Sequence, residues 1–181
     1  MELIIILVAI IAIVVVSIMM KANAKELEKI ALNTELNEIA KKYPSNIEIS
    51  KDILKKLGNQ TTKIENDPNS EMTLYIAVQD KISIGNMHDS FTRIQTIAHE
   101  CLHSIQDKKL LMFNFIYSNI YITYFTIICI LVIIGRLPNE MMFSNILLIL
   151  SFIYYVIRTF LENDAMFKAE YLAKEYMEEH T

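Results

Sequence analysis

The stretch Ser90-Phe-Thr-Arg-Ile-Gln-Thr-Ile-Ala-His-Glu-Cys-Leu-His-Ser-Ile-Gln-Asp107 carries the reading of this chain. Ile94, Ile97, Ala98, Cys101, Leu102 and Ile105 recur at i, i+3, i+4, i+7, i+8 and i+11, which predicts an amphipathic helix with one buried face. The other side presents Gln95, Thr96, His99, Glu100, His103 and Gln106. His99 and His103 are four residues apart, so their imidazoles project from neighbouring turns and both can reach one ion. The residues between them complete H-E-x-x-H, which sets Glu100 beside such an ion without requiring it to ligate.

That spacing suits a particular chemistry. A zinc ion held by three protein ligands keeps its fourth position for water and lowers that water's pKa to roughly 7; a neighbouring carboxylate can then take the proton as the water attacks a carbonyl. Glu100 is the expected general base. One helix supplies only two ligands, so the third must come from elsewhere. The segment from Thr159 to Ala173 reads as a helix with Ala165, Ala169, Leu172 and Ala173 on one small-residue face, and its first acids are Glu162 and Asp164. Glu162 is expected as the third ligand and Asp164 as an acceptor that orients a histidine. The two acids cannot share a helix face, so the roles are open to exchange, and acids in a first helical turn are favoured by the dipole in any case.

Outward from this centre the chain turns apolar. It has 181 residues, 53% of them hydrophobic and 21% charged, so the two kinds must be segregated along it. Leu3 to Met20 holds only Ser17 as a polar member and, at about 1.5 Å per residue, just spans a bilayer. Residues 1–20 are therefore expected to be an N-terminal membrane anchor. Phe113 to Ile134 and Met141 to Leu161 flank the short link GRLPNE, and predict a transmembrane helical hairpin over residues 113–161. Lys21, Lys25, Lys29, Lys108, Lys109, Arg158, Lys168 and Lys174 lie on one side of these spans and only Arg136 in the link on the other. The positive-inside rule then sets residues 21–112 and the tail 162–181 in the cytoplasm and the N-terminus outside, a multi-pass arrangement in the cell membrane.

The aqueous part predicts a helix over Lys25 to Lys42 stopped by Tyr43-Pro44, and a second over Ser50 to Leu57 ended by Gly58. Gly58 to Glu71 has loop composition, and TLYIAV and KISIG read as a small β-hairpin. The fold class expected is mainly α with that hairpin, a zincin-like helix domain attached to three membrane helices. Net charge of -4 leaves no electrostatic footprint for nucleic acid, and three glycines cannot build a phosphate-cradling loop. Cys101 and Cys129 suggest no disulfide framework. Tyr171 and Tyr176 are candidates to steady an oxyanion, though packing suits them better, and His88 and His180 are read as surface residues.

AHECLHSIQ, preceded by LYIAVQDKISIGN and followed after the apolar hairpin by FLENDAMFKAEYL, resembles the YugP-type membrane zinc metallopeptidases and, more distantly, membrane-bound gluzincins of the HtpX kind. The resemblance covers Leu74 to Lys109 and Leu161 to Leu172. It departs at Leu102, where relatives often place glycine before the second histidine. It implies one zinc ion on His99, His103 and Glu162, with Glu100 as base, and hydrolysis of a peptide or membrane-protein substrate at the cytoplasmic face of the bilayer. The alternative is a non-catalytic protein, stabilised by zinc, that binds or regulates other membrane proteins.

Overall fold

The computed structural model describes residues 33–70, 72–87 and 91–180, together with Ile11, Val14, Val15 and Ile18. Those four positions are helical and exposed. The rest of the expected first span, the early part of the Lys25 to Lys42 helix, and His88 lie outside the described residues.

Among the described residues the elements run α1 (Thr34–Ala40), α2 (Asn46–Lys56), β1 (Lys63–Asn66), β2 (Leu74–Ile76), β3 (Lys81–Ile84), α3 (Arg93–His103), α4 (Lys108–Ile133) and α5 (Glu140–Glu179). The protein is mainly helical with one small sheet. Asn33 caps α1 by accepting from Leu36 N. Ser45 and Glu48 cap α2 reciprocally, a capping box that starts the helix earlier than its apolar pattern indicated. Leu57 caps the C-terminus of α2, and Gly58 follows with φ +71, a left-handed position that suits glycine.

The sheet has three strands rather than the two expected, in the order β1-β3-β2. β2 and β3 form the anticipated antiparallel pair, Tyr75 opposite Ile82. β1 lies in the stretch read as loop and pairs with β3 in parallel, Ile64 opposite Ile82. Lys-Ile-Glu-Asn has a single apolar residue, so its strand character comes from pairing with a central strand and not from its own pattern. β3 is the strand that enters the core, through Ile82 and Ile84, both fully buried. After it the chain passes so close to residue 72 that a Cβ at Gly85 would lie 2.6 Å from the Met72 carbonyl oxygen.

The core joins Ile49, Ile53 and Leu54 of α2, Ile82 and Ile84 of β3, Ile94, Ile97, Ala98, Cys101 and Leu102 of α3, and Ala165, Ala169, Leu172, Ala173 and Tyr176 of α5. The α3 residues match the expected apolar face except Ile105, which is exposed because the helix stops at His103 and Asp107 caps a new one. The small-residue face of α5 does what alanines permit: it brings the α5 backbone close to α3, with Ala165 and Ala169 fully buried. Each fully buried isoleucine contributes about 1.5–3 kcal/mol of transfer free energy. Arg93 starts α3 in the same interior and gives its guanidinium donors to the Ala40, Tyr43 and Pro44 carbonyls and to Asn46 Oδ1, tying the α1–α2 connection to the core.

α4 and α5 are both long and apolar enough to cross a membrane. They pack on each other through Tyr117 Oη to the Leu150 carbonyl, Tyr124 Oη to the Phe143 carbonyl, and Tyr121 stacked on Tyr154. Tyr117, Tyr121 and Tyr124 thus face the partner helix. α5 continues without a break from its apolar first half into the half that packs on α3.

Candidate metal centre

His99 and His103 stand on the face of α3 turned away from the buried isoleucines, and their side chains are 17% and 12% exposed. Their Nε2 atoms are 3.0 Å apart. Glu162, on the α5 turn that packs beside them, brings Oε2 to 3.3 Å from His99 Nε2 and 3.8 Å from His103 Nε2. These three side chains are the group able to hold a metal ion among the described residues. Ligands about 2.0–2.1 Å from a tetrahedral zinc are roughly 3.3 Å from one another, and the three separations bracket that value. The donor set, two imidazoles and a carboxylate, also suits it chemically.

Burial, reinforced by the neighbouring His103, holds the His99 pKa below its usual value, which favours the neutral form that binds metal. His103 is oriented by Gln106. The Gln106 Nε2 donates to the Leu161 carbonyl at 2.8 Å and to Asp164 Oδ2 at 3.1 Å. Both partners only accept, so the amide oxygen must be the atom facing His103 Nδ1 at 2.8 Å. Nδ1 therefore carries the proton and Nε2 presents a lone pair to the ion. Asp164 reaches the histidine through this amide, and its pKa is lowered chiefly by Lys168, then by Gln106. Gln106 had been visible in the sequence only as one more polar residue on the helix face; no spacing rule marks it, because the loop after α3 turns it back.

Glu100 is not aimed at the ligand atoms alone. Its Oε2 accepts from the Tyr75 backbone N–H at 2.6 Å, so β2 fixes the carboxylate beside the histidines. Burial raises the Glu100 pKa, opposed by that hydrogen bond. Because β3 occupies the other side of β2, the Tyr75 N–H lies on the free edge of the sheet, and this edge forms one wall of the centre. The resulting cleft has a volume of about 580 Å³ and is lined by Leu74–Val78, His99, His103, Glu162, Glu100, a stripe of α4 and Arg158. Arg158 approaches the other oxygen of Glu162, Oε1, at 3.4 Å.

The tyrosines considered as oxyanion donors do not line this cleft. Tyr176 is buried in the core against Asp52 and His180, where burial pushes its pKa up to about 12. Tyr171 is 75% exposed on the far side of α5. His180 bonds to the Tyr176 carbonyl at the end of α5. No family model, no curated protein and no solved structure matches the chain.

Proposed function

We propose that this protein is a membrane-anchored zinc metalloendopeptidase of the YugP type that hydrolyses peptide bonds at the cytoplasmic surface of the bilayer. The observation that carries the reading is the convergence of His99, His103 and Glu162 from two helices, with the Glu100 carboxylate held beside them by a strand edge. Such a site is zincin-like in its logic: a helix supplies two ligands and a base, a later helix the third ligand.

A zinc ion held there would supply Lewis acidity toward water and a carbonyl oxygen. The chain's own groups do the rest. Gln106 keeps His103 in the ligating tautomer, and Arg158 keeps the second Glu162 oxygen turned away from the ligand position. Glu100 accepts the proton of the attacking water and passes it to the leaving amine, a role suited by a pKa that burial has raised. Arg158, cationic and at the cleft wall, is the group placed to steady an oxyanion. A peptide lying along the free edge of β2 would be aligned by main-chain hydrogen bonds.

Membrane attachment is supported by two helices able to cross it, whose outward faces carry exposed Ile116, Ile120, Ile127, Leu148 and Phe152. With a third span at residues 3–20 and the lysine-rich side inward, the centre would sit in the cytoplasm at headgroup level, within reach of loops and ends of other membrane proteins.

Glu100→Gln separates this reading from a zinc-stabilised binding protein. The variant should keep stoichiometric zinc and the native fold in detergent while losing cleavage of a susceptible membrane-protein loop by about 10²–10⁴-fold. Equal cleavage by variant and wild type would remove the hydrolase assignment.

A further inference from the structure

The cleft continues from the ligands along α4, where its lining is Leu111, Asn114, Phe115 and Ser118. These are i, i+3, i+4 and i+7, so a single stripe of α4 lines the same cleft as the β2 residues Leu74–Ile76. Leu111 and Phe115 make the stripe apolar. Asn114 interrupts it, and its Oδ1 is the one buried side-chain polar atom without a hydrogen-bond partner among the described residues. The nearby Ser118 hydroxyl is already engaged, donating to the Asn114 backbone carbonyl at 2.6 Å. A buried acceptor left unpaired costs about 1–3 kcal/mol, which asks for a donor from outside the chain.

The two walls differ in what they can offer a peptide. In an extended chain successive N–H groups point to opposite sides. On the β2 side the Tyr75 N–H is taken by Glu100, but its carbonyl points to the same free edge and can accept. On the α4 side the helix backbone is satisfied internally, so only a side chain can meet the substrate's remaining N–H groups. Asn114 is that side chain. Its χ2 is a broad torsion, so the amide can turn its oxygen toward whatever fills the cleft.

We propose that the cleft takes an extended, apolar segment of a membrane protein between Tyr75 and Asn114, with Asn114 accepting a substrate backbone N–H and Leu111 and Phe115 receiving an apolar side chain. The assignment rests on the hydrolase reading above and gives it a substrate class. The stripe lies in the first turns of α4, a helix long and apolar enough to cross a membrane, so the occupant is a stretch where a polypeptide leaves the bilayer.

The test uses the full chain, zinc-loaded in detergent, and an acetylated Leu-Phe-Leu-Leu hydroxamate with analogues methylated at one backbone nitrogen each. Binding is measured by calorimetry on the wild type, Asn114→Ala and the volume-matched Asn114→Leu. One analogue should bind the wild type about tenfold more weakly than its parent, the scale of one hydrogen bond, and show no such penalty on either variant. Methylation at amides facing β2 should weaken binding to all three alike. Identical penalties in all three proteins at every position would overturn the role of Asn114 while leaving the zinc hydrolase intact. Loss of zinc from both variants would overturn it too, by making Asn114 part of the metal centre. A wild type that binds neither zinc nor the parent hydroxamate would bring down both readings.

Discussion

Gln106 Oε1 lies 2.8 Å from Nδ1 of His103, and the same side chain donates to the carbonyl of Leu161, the residue just before Glu162. One amide thus bridges the two helices that carry His99, His103 and Glu162. It sets the tautomer of one imidazole and the distance of the carboxylate from it.

Gln106→Leu should fold, since the side chain is only partly buried, but bind zinc about 10–100-fold more weakly, the usual effect of removing a residue that orients a metal ligand. Competition with a chromophoric chelator measures this. Gln106→Glu keeps an acceptor for Nδ1 but sets a carboxylate against Asp164, and is expected to be no better. Unchanged affinity in both would mean that Gln106 does not position His103.

Glu162 and Asp164 should separate cleanly. Glu162→Ala removes a ligand atom and should purify without stoichiometric zinc, whereas Asp164→Ala removes only a partner of Gln106 and should retain the ion with reduced affinity. Metal analysis of the two proteins decides it; the reverse result would exchange their roles.

Asp80 sets an acid limit on the stability of the fold around the sheet. It sits at φ 47 in the β2–β3 turn and accepts from Lys108, Thr62 and Tyr75. Lys108 first, then Thr62 and Tyr75, lower its pKa from 3.8 to about 2 against the effect of burial. A carboxyl with a depressed folded-state pKa contributes stability that is complete above its unfolded value and is lost as pH falls through the folded value. Wild type should therefore lose thermal stability relative to Asp80→Asn between about pH 4 and about pH 2, the two converging at the acid end. A constant difference across that window would exclude the linkage.

Gly85→Ala should destabilise the protein by about 1–3 kcal/mol, the range for forced overpacking, because the new methyl meets backbone at residue 72 that cannot step aside like a side chain. The shift in denaturation midpoint measures it. Since residues 74–76 line the cleft just beyond that contact, Glu100 should also lose its fixed position, read as a fall in hydroxamate affinity at unchanged zinc content.

The two-faced character of α3 was legible because a helix repeats every 3.6 residues, so five apolar positions and two histidines sort themselves onto opposite sides without reference to anything else. The same logic marked the small face of α5, while the length of their apolar runs marked the two membrane-length helices. It failed at Ile105, where the helix ends before the pattern does, and at β1, whose polar residues become a strand only by pairing with β3. Nor does composition tell that the Tyr117 and Tyr124 hydroxyls reach carbonyls of the neighbouring helix.

By itself, the order of residues determined which side chains could share a helix face, hence the pairing of His99 with His103, the place of Glu100 beside them, and the apolar lengths of the later helices. Only the tertiary structure decided that Glu162 rather than Asp164 comes to the histidines, that Gln106 bridges α3 and α5, and that Tyr75 and Asn114 line one cleft. The physical reason is one of range. Local periodicity fixes direction around a single helix axis, but the meeting of residues about sixty positions apart depends on how closely the alanines of α5 let two helices approach, and no local pattern encodes that distance.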